Sequence, residues 1–283
     1  MLAGEEKFLI DPGPASTLPT LESELAARGL GIADLKAILL THIHLDHAGA
    51  TGSLVRKNPR IKVYVHSKGA KHMVDPTKLL SSAVRLYGDR MERLYGEFLP
   101  VPQGNLHVLD GGETLRIDRC ELRVLYTPGH ASHHVTYFDT AEKVAFVGDT
   151  AGICVEGNSF ILPATPPPDI DLEVWNNSLD AIAELQPSRL FLTHFGFSDH
   201  PARHIELYRG CVRRWSDLVE RLLSTTSDEA QAVAAFSAAV NAETACTLSI
   251  EEANHYVFNG ALELSWAGLA RYHRKRASAA AQT

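Results

Sequence analysis

The sequence has few cysteines. Only Cys120, Cys154, Cys211 and Cys246 occur among its 283 residues, and no two form a CxxC pair. That scatter fits reduced thiols better than a disulfide framework or a cysteine zinc site, so a cytoplasmic location is expected. Long apolar runs are missing too. The most apolar late stretch, AVAAFSAAV, falls far short of the roughly 20 residues a bilayer crossing requires and reads as a buried helix face. The opening MLAGEEKFLIDPG has no basic segment leading into an apolar run, so neither a secretory leader nor a membrane partner is expected. Positive charge is also in short supply. With 27 Lys and Arg against 34 Asp and Glu, the formal charge of −7 has the wrong sign for general attraction to phosphate backbones, and nucleic acid is not an expected partner.

What is present is a regular alternation of elements. Short β-branched runs end in turn chemistry: KFLI before DPGP, KAILL before THIH and IKVYV before HSKG, followed by LHVL, ETLRI, ELRVLY, HVTYF, KVAFV and RLFLT. These read as strands. A helical segment, DLEVWNNSLDAIAELQP, precedes the last of them. Such interleaving over the first 200 residues predicts a layered α/β sandwich, with a core over 1–200. Residues 75–98 interrupt it, with Leu79, Leu80, Ala83, Leu86, Tyr87, Met91, Leu94 and Tyr95 at helical spacing. One long helix or two short ones are expected there, inserted between strands as a lid over a site or as a stripe on the core. Beyond Asp199 the chain turns almost wholly helical, predicting an extension over 201–283 packed on the core.

The chemistry concentrates in Thr41-His42-Ile43-His44-Leu45-Asp46-His47, where a strand ends. In an extended segment residues two apart share a side, so His42 and His44 can converge on one cation. Asp46 and His47, as the chain enters the helix AGATGSLVRK, can address a second. Imidazole and carboxylate donors suit Zn²⁺, Mn²⁺ or Fe²⁺, and burying so many ionisable groups without metal or partners costs several kcal/mol. The placement recurs: His130 follows ELRVLY in TPGH, Asp149 follows KVAFV in GDT, and His194 follows RLFLT in THFG.

In that order THIHLDH, TPGH, GDT and THFG, with the early LIDPG, resemble the metallo-β-lactamase superfamily over roughly residues 7 to 200. The resemblance implies a four-layered αββα sandwich, here with a helical insertion and a helical C-terminal extension. It implies a first metal site of His42, His44 and His130 and a second of Asp46, His47 and His194. Asp149 would bridge two divalent ions, zinc before iron or manganese, and Asp11 would brace the metal loops. Two such ions about 3.5–4 Å apart can share a hydroxide that serves as nucleophile at neutral pH and can stabilise the oxyanion that follows. Asp46 is placed to orient that hydroxide, which makes it the expected catalytic residue.

The expected activity is hydrolysis of a small ester, thioester or lactone, as in the hydroxyacylglutathione hydrolases and lactonases that the chain resembles. The alternative is a persulfide dioxygenase-like oxidoreductase with one iron; a phosphodiesterase or nuclease is disfavoured by charge. A small-molecule substrate is the expected partner, and a homo-oligomer is left open. After TPGH this chain has Ala131-Ser132-His133-His134 where small and Pro/Gly residues are usual in the superfamily, which makes His133 a candidate for substrate or outer contacts. His66, His72, His107, His200, His204, His255 and His273 match no motif and are expected at the surface or hydrogen-bonded in the core. Arg203, Arg209, Arg213 and Arg214 are available for an anionic substrate but match no motif, and the run RYHRKR reads as a solvated helix end. About six residues precede the strand that ends in LIDPG, where the superfamily has a further strand, so the first sheet is expected to have an unprotected edge.

Overall fold

The computed structural model describes residues 6–155, 160–259 and 262–281, without the side chains of Asn254, His255, Val257, Phe258 and Asn259. Two compact units emerge. The first comprises Met1–Tyr126 and His133–Lys143, the second Thr127–Ser132 and Val144–Thr283.

In the first unit four parallel strands, β1 (Lys7–Ile10), β2 (Leu35–Leu39), β3 (Lys62–His66) and β4 (Leu106–Leu109), lie side by side in chain order. β1 pairs with β2 alone among the described residues, so it forms the expected edge. Between the strands run α1 (Leu18–Ala26), α2 (Leu45–Ala48), α3 (Thr51–Lys57), α4 (Ser67–Val74), α5 (Thr77–Tyr87) and α6 (Met91–Tyr95). An antiparallel ribbon of β5 (Thr114–Ile117), β6 (Cys120–Tyr126) and β7 (Val135–Asp139) completes the unit. Because the four strands run the same way, their carboxyl ends share an edge. Asp11 follows β1, Thr41 and His42 follow β2, and His66 ends β3, which is where open α/β sheets gather ligands.

Leu9, Ile38, Leu40, Ile43, Leu54, Val63 and Val65 form the core of this unit, each burial contributing about 1.5–3 kcal/mol. The 75–98 segment is two helices, since Gly88 takes φ +56° between α5 and α6. Ala83 and Phe98 are buried in that same core, and Leu79, Leu80, Tyr87, Met91 and Tyr95 pack against it. The helical stripe therefore faces the core. HSKG, read as a turn, instead starts α4: His66 Nδ1 accepts from the Lys68 amide at 3.2 Å and caps the helix.

In the second unit β8 (Val144–Gly148), fully buried, runs parallel to β9 (Arg189–Leu192), and the helix α7 (Leu172–Glu184) crosses between them; β10 (Gly196–Ser198) turns back along β9. The C-terminal helices α8 (Pro201–Thr225), α9 (Glu229–Ala245), α10 (Ile250–Asn259) and α11 (Leu262–Ala280) belong to the same unit. Ring contacts join three of them: Trp215 meets Phe236 at 5.4 Å between centroids, and Phe236 meets Trp266 at 5.9 Å. No helix among the described residues is long and apolar enough to cross a membrane.

Candidate metal centre

The first donor set forms where β2 ends. Ile43 and Leu45 are anchored in the core, so alternation directs His42 and His44 to the other side of the backbone. His42 Nε2 and His44 Nδ1 lie 3.1 Å apart. Strand β7 pins the approach to this segment: the Tyr137 hydroxyl donates to Leu40 O at 2.9 Å, and the Val135 amide donates to Thr41 O at 2.7 Å. Asp46 and His47 follow on α2, one helical turn earlier than the expected helix. The His42 and His47 ring centroids are 4.0 Å apart, and Asp46 Oδ2 is 3.8 Å from His47 Nε2. Asp46 keeps 39% of its side chain exposed, whereas that of His47 is fully buried.

Asp11 sets the protonation of these rings. Its carboxylate accepts from the Thr41 amide at 2.8 Å, from the Thr41 hydroxyl at 2.7 Å, and from His47 Nδ1 at 2.9 Å. An ionised carboxylate only accepts, so His47 carries its ring hydrogen on Nδ1, and in the neutral ring Nε2 presents a lone pair. Thr41 has given its one hydroxyl hydrogen to Asp11. Its oxygen therefore accepts from His42 Nδ1 at 3.0 Å, leaving His42 Nε2 as a lone pair as well.

The second donor set belongs to the other unit. His130 Nδ1 lies 2.8 Å from Ala164 O, an acceptor, so His130 Nε2 also presents a lone pair. That nitrogen faces Asp149 Oδ2 at 3.5 Å, while His194 Nε2 faces Asp149 Oδ1 at 3.6 Å. Two donors on one tetrahedral zinc at about 2.1 Å sit about 3.4 Å apart. Both spacings suit a cation shared by carboxylate and imidazole, so the residues present fit a metal.

Helix α7 holds the His130 loop in place. Ser178 Oγ donates to Pro128 O at 2.6 Å, the Asp171 amide donates to Gly129 O at 3.0 Å, and the Trp175 ring meets the His130 ring at 5.6 Å. Gly129 has φ +134°, and a Cβ there would lie 2.4 Å from Trp175 Cα. Gly129→Ala is thus expected to cost about 2 kcal/mol or more through strain and overpacking, measured as a lower denaturation midpoint; an unchanged midpoint would contradict the packing.

His133 is buried, and its Nδ1 accepts from the Ile43 amide at 3.4 Å; it braces the backbone between His42 and His44. Tyr95 is held above its ordinary pKa by burial and then by the charge of Asp46, and its ring meets that of Tyr87 at 4.9 Å between centroids. His66 stacks on Tyr126 at 4.4 Å, and His204 Nε2 donates to Ala151 O at 2.9 Å, so both are hydrogen-bonded core residues. Two contributors escaped sequence reasoning. Thr41 lies inside the motif and was readable there, whereas Ala164 acts through its carbonyl and leaves no side-chain signal.

The family profile of the metallo-beta-lactamase superfamily matches residues 2–194. A metallo-beta-lactamase fold-containing protein of Sulfurisphaera tokodaii is 32% identical over 165 residues, covering 57% of this chain and 61% of that protein. A hydroxyacylglutathione hydrolase of Aeromonas hydrophila is 31% identical over 143 residues, covering 50% of this chain and 41% of that enzyme. The matches thus span about two fifths to three fifths of these relatives' lengths. Among solved structures, a metallo-beta-lactamase family protein of Thermus thermophilus superposes with TM-score 0.68 at 23% identity, over 98% of this chain and 87% of that one. A protein crystallised in a di-iron-bound form gives 0.53 at 26% identity, over 73% and 88%. With α/β architecture, donor motifs and family profile in agreement, the chain belongs to the metallo-β-lactamase superfamily.

Proposed function

We propose that the two donor sets together hold two divalent ions, with His42, His44 and His130 on one, Asp46, His47 and His194 on the other and Asp149 shared, and that the protein hydrolyses a small acyl substrate. The observation that carries this reading is that Nδ1 of His42, His47 and His130 each meets an oxygen, which assigns the lone pair of each ring to Nε2. Ions in such a site supply Lewis acidity and activate water at neutral pH. The chain's own residues do the rest. Asp46, partly exposed, accepts a hydrogen bond from the attacking water and orients it. Thioesters come first among substrates, because a hydroxyacylglutathione hydrolase is among the relatives, with lactones and simple esters next.

Metal quantification on the purified protein, coupled to a panel of thioesters, lactones and phosphodiesters, tests the reading. Two ions per chain with thioester turnover is the expected result. One iron per chain with oxygen consumption, the persulfide dioxygenase pattern, would overturn it.

A further inference from the structure

Helix α8 grips the turn that carries Asp149. The turn closes with the Gly152 amide donating to Asp149 O at 3.0 Å. His204 and Tyr208, four residues apart and so on one helix face, both reach it. His204 donates to Ala151 O at 2.9 Å, while the Tyr208 ring lies so close to Gly152 that a Cβ there would sit 2.5 Å from its Cε2. On its other side the ring meets Trp175 at 5.8 Å.

Packing of this kind needs only an aromatic ring. Tyr208 nevertheless carries a hydroxyl that is fully buried and has no hydrogen-bond partner among the described residues. A buried hydroxyl without a partner costs free energy, so phenylalanine would be the more stable choice unless the oxygen has work to do. The ring seats on the turn that begins at Asp149, and after burial the negative charge of that carboxylate holds the phenol above its ordinary pKa. We infer that the Tyr208 hydroxyl is a positioning group for Asp149, donating toward its carboxylate through a bridging water and fixing the orientation in which Asp149 serves as a ligand. The inference rests on the reading of Asp149 as a metal ligand.

Tyr208→Phe removes only the oxygen. Zinc affinity, measured by competition with a chromophoric chelator, is expected to fall about 10- to 100-fold, while the Tm of the metal-free protein stays the same or rises. Unchanged zinc affinity would overturn the inference, and so would a metal-free Tm that falls along with affinity, since that outcome assigns Tyr208 to packing. Asp149→Ala, run in parallel, separates the two readings. Zinc lost from Asp149→Ala but kept by Tyr208→Phe defeats this inference alone; zinc kept by both defeats the metal reading and this inference with it.

Discussion

Replacing Asp149 with alanine is expected to empty the proposed centre and to lower hydrolysis by orders of magnitude. The carboxylate faces two imidazole nitrogens, at 3.5 Å on one oxygen and 3.6 Å on the other, so a single truncation removes a donor that both rings share. Loss of an outer partner costs about 10- to 100-fold in metal affinity, and loss of a shared ligand should exceed that. The fold should survive, because Asp149 lies just beyond the fully buried strand β8 and burying a carboxylate costs free energy rather than supplying it. Metal analysis by mass spectrometry and a thioester assay on the same sample check this. Full activity with normal metal content would refute the assignment.

Asp11→Ala should damage both stability and the site. Three donors converge on this carboxylate, and its side chain and that of His47 are fully buried. Stripping a buried acceptor from such a network costs on the order of 3–5 kcal/mol. The His47 and Thr41 hydrogens would also lose their fixed direction, which should weaken zinc binding about 10- to 100-fold. Asp11→Asn is the informative companion. Asp11 sits at φ +48°, a conformation Asn tolerates as readily as Asp, so the backbone is kept while the acceptor is halved. Denaturation midpoint and zinc affinity are the measurements. An Asp11→Ala protein that matches the parent in both would show that the cluster is not a support.

Much of this was legible in the sequence for definite reasons. Strands such as KVAFV, which became Val144–Gly148, were readable because both faces are buried and the apolar run is unbroken. The donors were readable because each follows a strand end. What escaped depends on the backbone. β10 is three residues, Gly196–Ser198, with no apolar pattern, and exists because it pairs back along β9. HSKG carries turn residues, yet it opens α4 because a histidine nitrogen caps it. Whether 75–98 held one helix or two was settled by Gly88, whose positive φ ends α5. The role of Asp11 came from the superfamily resemblance, and its three donors became apparent only once β1 and β2 were placed side by side.

The tautomers fixed by Asp11, Thr41 and Ala164 bear on how quickly the centre loads. In a neutral histidine without a fixed partner the hydrogen divides its time between the two nitrogens, and part of the population must shed or relocate it before it can coordinate. Here three rings are already set. Uptake kinetics should therefore be governed by how fast an incoming ion sheds its own hydration waters, and should respond to the identity of the ion more than to rearrangement of the protein.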